Sequence, residues 1–446
     1  MGRFYQMLES KWLPILGRLA NQTHLTAIRD GLIAIMPLTI IGSLPLLIAN
    51  PFVPRPDKVT GFFSAFATGW HDWVSDPAIR KVILVPYEMT FGLIGLFASM
   101  TIAYSLARTY KMNEISAVVV AGVTFLLVAS PAESFVLNNA EFNAMKTDFL
   151  GGKGLFTALL VGILTVEIAR FLRKSKFTIR MPEGVPPAVA NAFDNMTPLL
   201  VNVAIFYTFS LFLQDWTGSL LPDWVMKILA PAIAAIDSPF AVFFAAVFAN
   251  LLWFTGIHGA VIVSTAILGA FFEHNIAANA AAVAQGDAPP YIFTKMFWAF
   301  YMVIGGSGAT LALVLLYLRS KSAHLRSVGK VALVPAIFNI NEPVIFGTPV
   351  VFNPTLFVPF VFIEGILGVI AYYATKWGLV SATFAEAPWT APAPLGAFYA
   401  ALDFRAALLV FFLICLSGLL WFPFFKLYER QVLQESGRDK ETKGVA

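Results

Sequence analysis

The chain has 446 residues, 58 % of them hydrophobic and only 13 % charged, and its mean hydropathy is +0.75. Soluble domains carry charged residues at roughly 25 %, so the composition excludes an ordinary soluble enzyme, and a net charge of +4 is too modest to support nucleic-acid binding. The length accommodates about ten spans of ~20 residues with their loops, and the polar stretch 429–446 falls far short of the ~50 residues of a small domain.

In chain order, the amino end MGRFYQMLESKWLPILGRLANQ lacks a short apolar core followed by a small-residue cleavage site, and it reads as an interfacial amphipathic helix. Apolar runs at 27–49, 82–107, 115–130, 155–171 and 197–213 follow as spans. Arg3, Lys11, Arg18 and Arg29 precede the first of them, Arg108 and Lys111 follow the second, and Arg170, Arg173, Lys174, Lys176 and Arg180 follow the fourth. Those segments belong inside the cell, and the loops 50–81, 131–154 and 214–223 outside.

Beyond 215 the pattern is less regular. Residues 221–236 carry Asp223 and Lys227 at helical spacing among Pro222 and Pro231, as a short interfacial helix would. The apolar run 238–272 is too long for one crossing and is interrupted by Thr255-Gly256-Ile257-His258-Gly259. It forms either two spans meeting at that break or one span followed by a re-entrant hairpin. Residues 273–290, with Glu273 and Asp287 and no Lys or Arg, are expected as an external loop. The run 292–318 then crosses back, its Gly305-Gly306-Ser307-Gly308 read as a close helix contact rather than a break. Arg319, Lys321, Arg326 and Lys330 make the next loop cytoplasmic. Crossings at 356–373 and 406–422 complete the chain with both termini inside. Between them the proline-rich, nearly uncharged stretch 383–396 is neither a helix nor a solvated loop, and it is expected to dip toward the membrane centre. The fold class is therefore an all-α polytopic membrane protein of about ten transmembrane helices, with re-entrant hairpins and interfacial helices.

One stretch, 334–354, carries Pro335, Pro343, Pro349, Pro354 and Gly347 inside an apolar run. Each proline removes a donor and clashes with the preceding turn, so the run must bend, and bent backbone in hydrocarbon is tolerated only where protein buries it or a wet cavity faces it. Glu342 lies at its middle between Asn339, Asn341 and Pro343. A membrane carboxylate needs a partner or a ligand, and one held by broken backbone suits the deprotonation of a substrate hydroxyl. His258, on the second broken segment, is a satisfied core residue or a partner for that acid. Trp253 and Trp389 stand beside breaks, either as interfacial anchors or as stacking surfaces for a sugar ring. Asn339 and Asn341 bind hydroxyls or satisfy freed backbone. Asn138 and Asn139 are weaker candidates for the same work, and Glu88 and Glu364 read as interhelical partners. His24, His71, His274 and His324 fall in or near expected loops. No His and acid spacing suggests a metal. Cys415, the single cysteine, excludes an internal disulfide and reads as a small buried apolar residue.

The run NINEPVIFGTPVVFNP closely resembles the signature of the membrane (IIC) component of the bacterial phosphoenolpyruvate-dependent sugar phosphotransferase system, in its lactose, cellobiose and diacetylchitobiose branch. LTAIRDGLIAIMPLTIIGS, LGGKGLFTALLVG, MPEGVPPAVANAF and WFTGIHG resemble the same branch and cover most of the chain in order. The resemblance implies a disaccharide permease of the inner membrane without a cofactor, in which Glu342 lies beside the sugar's C6 hydroxyl and His258 orients it. A cellobiose-like β-glucoside is the first expectation, with diacetylchitobiose and lactose after it. It also implies a homodimer joined through 1–215, a half 216–428 that moves as a rigid body, and a cytoplasmic tail 429–446. Phosphate comes in this family from a phosphocysteine on a IIB component charged by IIA. Since Cys415 lies within an apolar span, that IIB must be a separate protein, for which the basic loop 319–330 offers an anionic partner a docking face. Two rivals remain at this level: an ion-coupled sugar transporter, with Glu364 as its extra carboxylate, and a membrane enzyme acting on lipid-linked sugars.

Overall fold

The computed structural model describes residues 22–51, 62–137, 140–175, 187–348, 350 and 353–443. The expected amphipathic helix before residue 22 lies outside these, as do Asn138 and Asn139. Among the described residues the only strands form one antiparallel hairpin, Ala132–Leu137 with Ala140–Met145, in which Phe135 pairs across to Phe142, and helices make up most of the rest. Five helices are long and apolar enough to cross a bilayer unbroken: Phe91–Thr109, Gly152–Lys174, Met196–Thr217, Pro354–Lys376 and Phe404–Glu435. Three further bent pairs pass the same test together: Thr23–Ala34 with Met36–Ala49, Leu221–Ile236 with Pro239–Phe254, and Gly259–Ile267 with Gly269–Gln285.

The amino-terminal helices Thr23–Ala34, Ile94–Thr109, Glu114–Ala129 and Leu155–Lys174 pack on one another. Glu167 fastens three of them by accepting hydrogen bonds from Tyr110 Oη at 2.6 Å and His24 Nε2 at 2.9 Å. His24 is thus part of a polar staple and not of a loop. The expected span 82–107 is broken in its first third, because Pro86 sits inside Pro77–Met89 and Thr90 leaves helical geometry before the chain resumes through Phe91–Leu93.

Several expectations in the second half are corrected. Residues 273–290 are no external loop: Gly269–Gln285 is a helix that ends on a left-handed Gly286. Its alanine-rich run favours helix, and its polar residues are taken up inside the protein. Glu273 pairs with Lys295 at 2.8 Å, and buried His274 sets its Nδ1 2.9 Å from the carbonyl of Gly152. The run 292–318 is not one crossing. A short helix Lys295–Phe297 passes into a π turn, Trp298–Met302, and regular structure resumes only at Leu311–Leu318. Gly305, Gly306, Gly308 and Ala309 between them all have positive φ, so this glycine cluster is a break in the chain. It is also a close contact, since a Cβ on Gly306 would stand 2.5 Å from that of Asn341. Cys415 faces outward rather than inward, beside the exposed Phe411 and Phe412.

The stretch 383–396 is irregular as far as Pro392, as expected, and buried over its first residues, but it turns helical at Ala393–Ala401 and exposes Trp389 and Leu395. Thr383, Phe384, Ala385 and Glu386 are buried, and the N–H groups of Phe384 and Ala385 both donate to the carbonyl of Ala400. A buried irregular segment must satisfy its backbone in this way. The polar tail begins as part of the continuous helix Phe404–Lys443. Its Glu429 is tied to the basic loop by Ser320 Oγ at 2.6 Å and the Lys321 N–H at 2.7 Å.

Candidate functional site

The prolines of the 334–354 stretch act as punctuation. Pro335 lies within the helix Ala323–Ile337, Pro343 occupies the first turn of Glu342–Gly347, and Pro354 opens Pro354–Lys376. In a first turn the missing N–H has no intrahelical partner to lose. The bend itself falls at Asn339, whose φ of 62° is left-handed, a conformation that asparagine tolerates better than most residues.

That bend delivers Glu342 to the head of a short helix. On the other broken segment, the chain turns at Thr255 and Gly256 after the helix Pro239–Phe254 and restarts at Gly259. The restart is so close to the preceding helix that a Cβ on Gly259 would lie 1.9 Å from the carbonyl oxygen of Ala249, so no larger residue fits. His258 caps the restart, accepting the N–H of Val261 on Nδ1 at 3.4 Å. With Nδ1 an acceptor, the neutral ring carries its proton on Nε2. Nε2 lies 3.9 Å from Glu342 Oε1.

The two side chains are 49 % and 45 % exposed, whereas Glu364 and Glu386 are each 1 % exposed. Glu342 is therefore presented to open space and does not serve as a buried fastening for the fold. Among the described residues its carboxylate accepts no hydrogen bond, and a separation of 3.9 Å leaves room for a hydroxyl to bridge both groups with a small adjustment. Trp253 packs on His258 with ring centroids 4.2 Å apart, and its indole N–H is buried without a partner among the described residues. Buried donors are normally paired, and Trp253 itself is only 5 % exposed.

Asn339 and Asn341 are buried and engaged. Asn339 Nδ2 donates to the carbonyls of Trp389 at 2.9 Å and Ala391 at 3.0 Å, while its Oδ1 accepts the Gly305 N–H at 3.1 Å. Asn341 Nδ2 donates to Ser307 O at 2.7 Å and Thr310 Oγ1 at 3.2 Å. Both amides thus take the backbone-satisfying role. Trp389 is 49 % exposed and is held to the Glu342 segment by the Asn339 clasp. Asn139 lies outside the described residues, and Glu88 is exposed at the end of Pro77–Met89. Replacing Asn339 by Ala should lower thermal stability, at about 1–3 kcal/mol for each buried group left unpaired. Thermal unfolding of the purified protein measures this, and an unchanged midpoint would show the clasp to be dispensable.

The polar interior holds more than the sequence reading found. Lys295 Nζ lies 2.8 Å from Glu273 Oε1 and 3.3 Å from Glu386 Oε1. Glu386 also accepts from Thr39 Oγ1, and its carbonyl accepts from Ser43 Oγ. A signal was available, since Lys295 is the only Lys or Arg between residues 274 and 318. The described residues contain no group of His, Cys, Asp or Glu that could hold a metal ion.

Residues 29–363 match the family described as "Phosphotransferase system, EIIC". The chain belongs to that family. As an EIIC protein it is an integral membrane sugar permease, and its relatives agree along almost the whole length. It is 34 % identical to the lichenan permease IIC component of Bacillus subtilis (strain 168), over 98 % of this chain and 96 % of that one. It is also 34 % identical to the cellobiose-specific EIIC component of Geobacillus stearothermophilus, over 98 % and 97 %. The lactose-specific EIICB component of Streptococcus mutans is 31 % identical and is covered over 74 % of its length. The crystal structure of the transporter ChbC, the IIC component of an N,N'-diacetylchitobiose-specific phosphotransferase system, superposes with a TM-score of 0.85 at 31 % identity. That match covers 96 % of this chain and 99 % of the other. The expected family, fold class and membrane character of this EIIC chain are all borne out.

Proposed function

We propose that the protein binds a β-linked disaccharide, cellobiose or a close relative, and carries it to the cytoplasm for phosphorylation on C6 by a separate IIB protein. The observation that carries this reading is the meeting of His258 and Glu342, each on a broken apolar segment and each half open, at 3.9 Å. Glu342 accepts the C6 hydroxyl and takes its proton as the oxygen attacks phosphorus and the phosphorus–sulfur bond of the donor cysteine breaks. The His258 Nε2–H orients the same oxygen and relays the proton. Trp389, which is 49 % exposed, supplies a stacking face for the sugar ring, and buried Trp253 supports the site by backing the His258 ring. Asn339 and Asn341 shape the walls.

The names of the lichenan and cellobiose relatives support the choice of sugar. The name of the EIICB relative supports a IIB component as the partner. Arg319, Lys321, Arg326 and Lys330 are exposed together beside the Glu342 segment, as docking of an anionic partner on the cytoplasmic side requires. The same reading has both termini cytoplasmic and residues 1–215 as a dimerising scaffold, for which the outward-facing Leu200 and Phe212 offer apolar surface. Residues 216–428 then form the moving, sugar-binding half.

Binding of cellobiose by calorimetry, then its phosphorylation in the presence of phosphorylated IIB, tests the proposal. His258→Ala should keep the fold and lower phosphorylation by about 10²-fold; full activity would remove His258 from the reaction. Glu273 and Glu386 are further interior carboxylates that an ion-coupled transporter would use, but both are paired to Lys295. Vesicles lacking the phosphotransferase partners decide this point, because sugar accumulation driven by a proton or sodium gradient would favour that rival.

A further inference from the structure

Glu364 is an acid that the reaction above does not use. It is 1 % exposed in the middle of Pro354–Lys376. Its Oε2 accepts Asn250 Nδ2 at 2.9 Å and the Gly308 N–H at 2.6 Å, and it makes no ion pair among the described residues. These contacts use the oxygen as an acceptor, and no cation stands by to use its charge. Gly308 is held at its carbonyl as well, which accepts Trp421 Nε1 at 3.2 Å, and the next carbonyl, of Ala309, accepts Ser417 Oγ at 2.9 Å.

The segment held in this way is the positive-φ break at 305–309, and its inner face lies against the signature run. Gly305 N–H meets Asn339 Oδ1, Ser307 O meets Asn341 Nδ2, and Gly306 leaves no space for a Cβ against Asn341. Asn341 immediately precedes Glu342, and its carbonyl accepts the N–H groups of Val344 and Ile345 that start the Glu342 helix. A continuous path of hydrogen bonds and tight contact thus runs from Glu364 through the glycine break to the backbone carrying Glu342.

We propose that Glu364 is a positioning residue for the sugar reaction, acting as a neutral-tolerant acceptor that fixes the 305–309 break and, through Asn341, the placement of Glu342. The inference rests on the role assigned to Glu342, so its test needs a readout independent of sugar chemistry. Hydrogen–deuterium exchange of the 303–310 and 339–347 amides in the purified protein supplies one, alongside phosphorylation at saturating sugar with phosphorylated IIB. Glu364→Ala should raise exchange in both segments and lower the phosphorylation rate by about tenfold or more, the scale of a small misplacement of a reacting group. Glu364→Gln, which keeps the acceptor and loses the charge, should stay within about twofold of the parent in both.

Parent-like exchange in Glu364→Ala would overturn the link. Equal loss in Glu364→Gln and Glu364→Ala would also overturn it, since the charge itself would then be at work. Raised exchange with undiminished phosphorylation would keep the link and instead overturn the role given to Glu342. Should Glu364→Ala fail to fold, Trp421→Phe removes the donor to the Gly308 carbonyl. It should raise exchange in the same two segments, and unchanged exchange there would count against the proposal.

Discussion

Glu342→Gln should leave the protein folded and membrane-inserted while lowering sugar phosphorylation by about 10²–10⁴-fold, the contribution of a well-placed general base. Gln preserves size and can still exchange hydrogen bonds with a sugar hydroxyl, but it cannot take the C6 proton. The carboxylate it replaces is 45 % exposed, and among the described residues its one charged partner is His258 at 3.9 Å, so little folding energy depends on its charge. Disaccharide affinity, read by calorimetry on the same sample, should fall far less than the phosphorylation rate. If affinity and rate both match those of the parent, Glu342 has no part in the mechanism, and the facing arrangement of the two broken segments needs another explanation.

Lys295→Met should be the most destabilising single change among those considered. Lys295 is the cation shared by Glu273 and Glu386, whose side chains are 6 % and 1 % exposed, and its removal leaves both buried carboxyl groups without that counter-charge. Breaking a buried pair by deleting one partner costs about 3–5 kcal/mol. Thermal unfolding in detergent should show a large drop. Adding Glu273→Gln and Glu386→Gln to Lys295→Met should recover most of it, because the uncompensated charge disappears. A melting midpoint equal to the parent's for Lys295→Met would mean that the cluster carries no stability.

Much of the site was legible before any coordinates. Prolines in an apolar run force a bend, and an acid at the bend is costly in hydrocarbon, so Glu342 could be picked out by composition and order alone. The Thr255–Gly259 interruption marked His258 in the same way. The direction of the asparagine amides was not legible, because a side chain that can bind a sugar or a carbonyl is chemically the same residue in either role. Asn339 and Asn341 resolve toward the backbone only because 305–310 and 389–391 are brought against them.

The Lys295 cluster was missed for a related reason. Glu273 sits before a polar-looking segment and Glu386 among prolines, so local pattern places each in a loop. Their shared lysine lies 22 residues from one and 91 from the other.

By itself the sequence determined that this chain lives in a membrane, which family it belongs to, and that the runs around His258 and Glu342 must break, but not the breaks at Thr90 and 305–309. Those properties follow from hydropathy, proline and glycine chemistry and a contiguous signature, all local along the chain. Tertiary structure alone decided which buried charges neutralise one another, which polar side chains are spent on backbone, and that the glycine break at 305–309 braces the Glu342 helix. Such choices depend on partners far apart in sequence, and a low-dielectric interior penalises a polar group left without one.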